Sequence, residues 1–183
     1  MPENKFKSIT NGLFHSKLVY CLQVFGNVWG LTPHDENNRR FAAFTKTDNR
    51  RLQVLQNQTL RLRLKARKDE STVSLLARTK SLSVHQLTAF STIMTVYKTL
   101  QCQTPEYFYD KLKRQNVEGG RVTRHSDNLK VEAKLTLTRG GYLYRAAALW
   151  NKVPANLKQE TKTYRFKKQL KEWVISNIKW KPP

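Results

Sequence analysis

Asp127, Glu132 and Lys134 are the residues whose types and order come nearest to a catalytic set in this chain. A carboxylate followed by Glu-x-Lys on a strand is how a restriction-type nuclease presents a divalent metal and a positioning lysine. Only four residues separate Asp127 from Glu132, which leaves little chain for two carboxylates to converge from separate strands. A capping Asp and an exposed strand face account for these residues more simply. No two aspartates are adjacent in the sequence, so the paired-carboxylate centre of a polymerase is missing. Neither a Walker loop nor a Gly-x-Ser-x-Gly elbow is present. The histidines at 15, 34, 85 and 125 are scattered, and with only Cys21 and Cys102 beside them they draw no zinc motif. Read from its residues, the chain is expected to hold no catalytic set and no metal or other cofactor.

The cations are a different matter. The chain has 183 residues, with 34 Lys and Arg against 13 Asp and Glu, a formal charge of +21. Self-repulsion of that size opposes compaction, and a polyanion partner relieves it. Nucleic acid is the first candidate and an anionic membrane the second. From Arg121 to the end there are 15 Lys and Arg against 4 Asp and Glu, so about half of the excess lies in about a third of the length. That concentration marks the expected electrostatic footprint. The residues expected to meet RNA or DNA backbone are Arg121, Arg124, Arg139, Arg145, Lys152, Lys167, Lys168 and Lys171. A membrane partner is not expected, because no apolar run approaches the roughly 20 residues that span a bilayer. Met1 to Thr10 is polar and lacks the apolar core of a signal peptide. Two unpaired cysteines fit a reducing compartment, nucleus or cytoplasm.

The elements that must position these cations centre on Gly140 to Pro154. Two glycines permit a turn, Tyr144 to Leu149 suits a short helix, Trp150 is a large anchor, and Pro154 stops the helix. Arg145 and Lys152 ride on that helix. A helix is expected from about Asn11 to Phe25, with His15 packed on its early turn. A second is expected from an Asp48 or Asn49 cap to about Leu64, with Leu52, Leu55, Thr59 and Leu62 as its inward stripe. Ser83 and Gln86 form a capping box, with Leu82 and Leu87 as a hydrophobic staple, and so predict a helix from Val84 to about Leu100. Its inward face is Leu87, Phe90, Met94 and Tyr97. Thr104 as cap and Pro105 at the first position start another. Lys130 to Thr138 alternates as an amphipathic strand. Tyr164 to Ile178 closes the chain as an amphipathic helix whose Phe166, Leu170, Trp173, Val174 and Ile178 should dock on Trp150. The expectation is a mainly α fold with a minor β element. It divides into a helical segment over 1–113, a basic linker over 114–129, and a strand, Gly-Gly turn and basic helix over 130–183.

Several stretches, taken in order, resemble the C-terminal part of reverse transcriptases from non-LTR (LINE-like) retrotransposons. Phe14-His15-Ser16-Lys17-Leu18-Val19-Tyr20 leads to Val24-Phe25-Gly26, with Phe25 where that family usually has Trp. Leu52-Gln53-Val54-Leu55-Gln56 leads to Leu60-Arg61, like the family's Leu-Gln-Lys-x-x-x-Arg helix without its Lys. Leu82-Ser83-Val84 opens a helix that ends at Tyr97-Lys98. Arg121-Val122-Thr123-Arg124 follows, then Tyr144-Arg145 through Leu149-Trp150-Asn151 to Pro154, then Phe166-Lys167-Lys168-Gln169-Leu170-Lys171. The resemblance covers nearly the whole chain. It implies a thumb-like segment and the region beyond, lying after a catalytic palm that would precede Met1. The implied role is grip on template and primer. The missing palm and fingers would be its partner, and magnesium would belong to that palm. The alternative is a stand-alone basic RNA-binding or assembly protein.

Overall fold

The motif Leu82-Ser83-Val84-His85-Gln86-Leu87 builds a helix start from both sides. A computed structural model describes residues 3–10, 12, 15–25, 45–112, 128–130 and 141–178. In it, Gln86 N donates to Ser83 Oγ at 3.3 Å, and Ser83 N donates to Gln86 Oε1 at 3.2 Å. The described helices are α1 (Glu3–Thr10), α2 (Ser16–Phe25), α3 (Lys46–Leu64), α4 (Thr72–Thr79), α5 (Val84–Cys102), α6 (Glu106–Lys111), α7 (Tyr142–Lys152), α8 (Ala155–Lys158) and α9 (Thr163–Asn177). The fold is mainly α. Among the described residues there is no β-strand. The strand expected over 130–138 lies outside them except for Lys130, as does the basic linker from Arg114 to Asp127.

Helix α5 is the axis. Leu87, Met94 and Tyr97 are buried as their spacing predicts, but so are Thr88, Ala89, Ser91, Thr92, Ile93, Val96 and Thr99. Helices α2, α3, α6, α7 and α9 all pack against it. A helix surrounded in this way needs apolar or small side chains on every face, and the Ala, Ser and Thr positions supply the small ones. One apolar core runs from Leu18 and Leu22 on α2 to Ile178, drawing on both ends of the chain.

Helix α9 docks where its stripe predicts. Phe166, Leu170 and Val174 have no exposed surface. The Phe166 ring stacks on Tyr97 with centroids 3.8 Å apart and meets Trp150 at 6.3 Å. The Tyr97 hydroxyl, at the far edge of that stack, lies 2.9 Å from Glu160 O and 3.0 Å from Thr161 O. Helix α7 stops at Lys152, and Pro154 then sits at the N-cap of α8. Asn151 holds the segment beside it: Leu129 N donates to Asn151 Oδ1 at 2.8 Å, and Asn151 Nδ2 donates to Leu129 O at 2.9 Å. That pair of bonds satisfies the backbone of a Leu129 with no exposed surface.

Several expectations change. In place of one helix over Asn11–Phe25, α2 covers Ser16–Phe25 with Gly12 and His15 in π-helical turns ahead of it, and α1 adds a helix over residues read as a polar start. Thr45, not Asp48 or Asn49, caps α3, and Asp48 is the third helical residue that reciprocates it. The box is closed by Asp48 N donating to Thr45 Oγ1 at 3.2 Å and Thr45 N donating to Asp48 Oδ2 at 3.0 Å. Helix α4, capped by Ser71, was not expected from the sequence. Helix α6 starts at Glu106 with Pro105 at the cap and no side-chain cap bond from Thr104. The expected inward stripe of α3 is also displaced. Leu55 and Leu62 are 48% and 70% exposed, whereas Gln53, Gln56, Asn57 and Leu60 are buried. The buried stripe keeps helical spacing but is mostly amide.

Those amides answer backbone groups. Val84 N donates to Gln53 Oε1 at 2.8 Å, and Gln56 Nε2 donates to Leu82 O at 2.8 Å. Gln53 Nε2 is shared between Gln56 Oε1 at 2.8 Å and Asn57 Oδ1 at 2.9 Å. Asn57 Nδ2 reaches Thr72 Oγ1 at 3.0 Å, which ties in α4.

The Trp150 ring is 4% exposed and joins α7 to α9, so Trp150→Ala should destabilise the protein by about 3 kcal/mol or more. Lys168→Ala, on the exposed side of α9, should change stability by less than about 0.5 kcal/mol. Thermal or urea melts of the two variants check this, and equal small shifts would contradict the docking of α9.

Candidate nucleic-acid interface

Lys167 and Lys171 are four residues apart on α9 and therefore share a face. Thr59 and Arg63 share one on α3 in the same way. Along α5 the sequence Leu87, Phe90, Met94, Lys98 steps by three and four. These three faces meet, with α2 and the α4–α5 connection, around a groove of about 710 Å³. Its described lining includes Arg63, Lys80, Lys98, Lys167 and Lys171, together with His15, and contains no Asp or Glu. Leu87, Phe90, Met94, Val19 and Leu60 form its apolar part. Thr59, Thr79, Ser81 and Ser91 add hydroxyls.

Local chemistry sets this charge pattern. Lys80 ends α4 in the left-handed conformation, φ 50° and ψ 37°. Its carbonyl is left outside the helix ladder and accepts a hydrogen bond from Lys171 Nζ, which fixes one wall. An ammonium has three donors, so Lys171 keeps donor capacity beyond that bond. The buried Nε of Arg63 has no acceptor among the described residues. The two ion pairs among the described residues, Arg67–Asp69 and Arg78–Glu70, leave every groove cation out. Glu70 is engaged elsewhere: Arg78 Nη1 reaches its Oε1 at 2.7 Å and Ser74 Oγ donates to the same oxygen at 2.9 Å. The groove is thus lined by cations without an Asp or Glu among its described lining, and a concavity concentrates the field of such cations.

Family models, curated proteins and solved structures were all compared with this chain, and none matches. What the groove can do therefore rests on its own residues. Among the described residues no cluster of His, Cys, Asp and Glu could hold a metal ion, and no helix is long and apolar enough to cross a membrane.

Of the cations expected from the sequence, the structure brings Lys167 and Lys171 to the groove. Lys168 is exposed on α9 beside them, outside the lining. Arg145 is half-buried and Lys152 exposed on α7, and neither lines the groove. Arg121, Arg124 and Arg139 lie outside the described residues, as do Asp127, Glu132 and Lys134. Arg63, Lys80 and Lys98 are not among the site residues expected from the sequence. Arg63 and Lys98 each had a signal, standing one helical step from residues assigned to core faces. Lys80 had none without α4.

His15, expected to pack at a helix start, lies at the groove rim. Burial, and then the Lys171 ammonium, hold its pKa below the ordinary 6.5. Burial alone does the same to His85 in the first turn of α5. Both are thus neutral in the folded protein near pH 7. As pH falls through 6.5 the unfolded chain takes up these protons first, so stability is lost below that value and unaffected by them above it. Asp48 and Glu70 act in a lower window. Bonds from Thr45 and Arg78 respectively depress their pKa values, so their contribution is lost only below the ordinary carboxylate range. The melting temperature should therefore fall between about pH 7.5 and 5.5, and a His15→Gln/His85→Gln double variant should flatten that slope. A parent and double variant with the same slope would contradict the burial of the two imidazoles.

Proposed function

We propose that this chain binds the phosphate backbone of nucleic acid through the groove between α3, α5 and α9, with little sequence preference. The observation that carries this reading is the set of five Lys and Arg lining one concavity with no described Asp or Glu among them. The +21 charge supports it at the level of the whole chain. Each phosphate that meets a cation releases condensed counterions, and that entropy drives binding independently of base identity. The short motifs shared with non-LTR reverse transcriptases, from His15-Ser16-Lys17 to Phe166-Lys167-Lys168, support a more specific form of the proposal. In that form the chain is a thumb-like C-terminal segment that grips template and primer for a palm supplied by upstream sequence. The metal-dependent chemistry would then belong to that palm.

Nothing in the described residues reads a base in the manner of a recognition helix, so phosphate contacts should dominate. Log affinity should fall with log salt by roughly 0.7 to 0.9 per phosphate contact. Replacing Arg63, Lys80 and Lys98 together with Gln should shallow that slope by up to about 2 to 3 units, equally on two unrelated sequences. Lys167→Ala/Lys168→Ala/Lys171→Ala should do the same to a smaller extent, because Lys168 lies outside the lining. Salt titrations of the parent and both variants on each sequence test this. Unchanged slopes would make these cations a solvated surface and move the site elsewhere.

A further inference from the structure

We infer that the groove takes unpaired nucleic acid in preference to duplex, with a base stacked on Phe90. This rests on the reading that the groove binds nucleic acid, and adds which form it binds. The argument starts from the part of the lining that phosphate contacts leave unused. A surface built only for a duplex needs cations on an open face, because a duplex offers its phosphates outward and keeps its base faces stacked inside. Here the cations stand around a concavity in whose α5 wall Phe90 is the apolar side chain left partly exposed, with Leu87 and Met94 buried behind it. Against a duplex that apolar wall would stay wet. A single strand has phosphates on one edge and bare base faces on the other, which matches cations beside an apolar wall.

The order of residues on α5 favours the same occupant. Phe90 is only partly buried although it packs against the core, so one side of the ring belongs to the groove. Lys98 lies eight residues further along the same helix, about 12 Å at 1.5 Å per residue. A base on Phe90 and a phosphate at Lys98 are thus served by one rigid element. Lys167 and Lys171 of α9 line the same groove. The volume, about 710 Å³, is that of a site for a small molecule or a nucleotide, since such pockets run from roughly 300 to 1,000 Å³.

Binding of three probes with equal numbers of phosphates decides the matter: a mixed-sequence RNA strand, an abasic strand and a DNA duplex. Fluorescence anisotropy at fixed salt gives the affinities. The parent should hold the RNA strand about 5- to 160-fold more tightly than the abasic one, the range that one stacked base supplies, and more tightly than the duplex. Phe90→Leu, which keeps an apolar side chain without the ring, should lose most of both differences. Phe90→Trp should retain them. Melts of both variants verify the fold. Equal affinity of the parent for all three probes would overturn the stacking inference while leaving phosphate binding intact. A parent that binds none of them at low salt would overturn both.

Discussion

Burying the N-terminus of α5 is the constraint on which the rest of the structure depends. The first N–H groups of any helix lack partners within it, and an unpaired buried amide costs about 1–3 kcal/mol. On a surface helix, water would answer them. Around α5 there is no water to spare, since Ser83 and Val84 are 0% and 1% exposed. Two side chains meet the demand: Ser83 takes Gln86 N and Gln53 takes Val84 N. Two more bind carbonyls around the same joint: Gln56 donates to Leu82 O, and Gln86 turns back to donate to Ile178 O at 3.1 Å. The last bond ties the end of the chain to the start of its central helix. Amides are suited to this because each carries a donor and an acceptor, so one Gln serves a backbone group and a neighbouring side chain together.

That solution explains why α3 is turned away from its hydrophobic stripe. A face of Leu52, Leu55, Thr59 and Leu62 would have buried more apolar area against α5. It would also have left Val84 N and Leu82 O without partners. Presenting Gln53, Gln56 and Asn57 instead exposes Leu55 and Leu62 and satisfies the joint. The same rotation carries Thr59, Leu60 and Arg63 to the groove. The position of a groove cation on α3 is thus a consequence of how a backbone amide on α5 is satisfied.

Local rules in the sequence were sufficient where one helix decides its own limits. The Ser83–Gln86 box, the stop before Pro154 and the Phe166, Leu170, Val174 stripe all act within a few residues, and each is found where the sequence places it. Elements decided by distant partners were not legible. The buried face of α3 depends on a residue 31 positions away. Helix α4 has eight residues, too short for hydrophobic periodicity to announce it, and its Leu75 and Leu76 make sense only against Leu60. The candidate site divides in the same way. Lys167 and Lys171 were visible as neighbours on one helix, whereas Arg63, Lys80 and Lys98 become neighbours only through tertiary packing. Of the five groove cations, the concentration of charge after Arg121 includes two, Lys167 and Lys171.

The groove's shape and its attraction rest on different forces. Its walls are held by buried apolar contacts and by neutral amide bonds, with one ammonium-to-carbonyl bond from Lys171 to the end of α4. None of these is an ion pair, so screening does little to them. The proposed attraction for a polyanion would be electrostatic and would weaken steeply with salt. Among the described residues Asp48 is held by Thr45 at a helix start and Glu70 by Arg78 and Ser74, and neither lines the groove. An acid placed in the groove would have lowered self-repulsion, but it would have removed the field with it. Groove cations without an ion pair among the described residues raise the energy of the empty protein, and the proposed polyanion would relieve that energy on binding. The scaffold tolerates the repulsion because the joint at the start of α5 is neutral and buried, where neither salt nor a ligand's charge needs to reach.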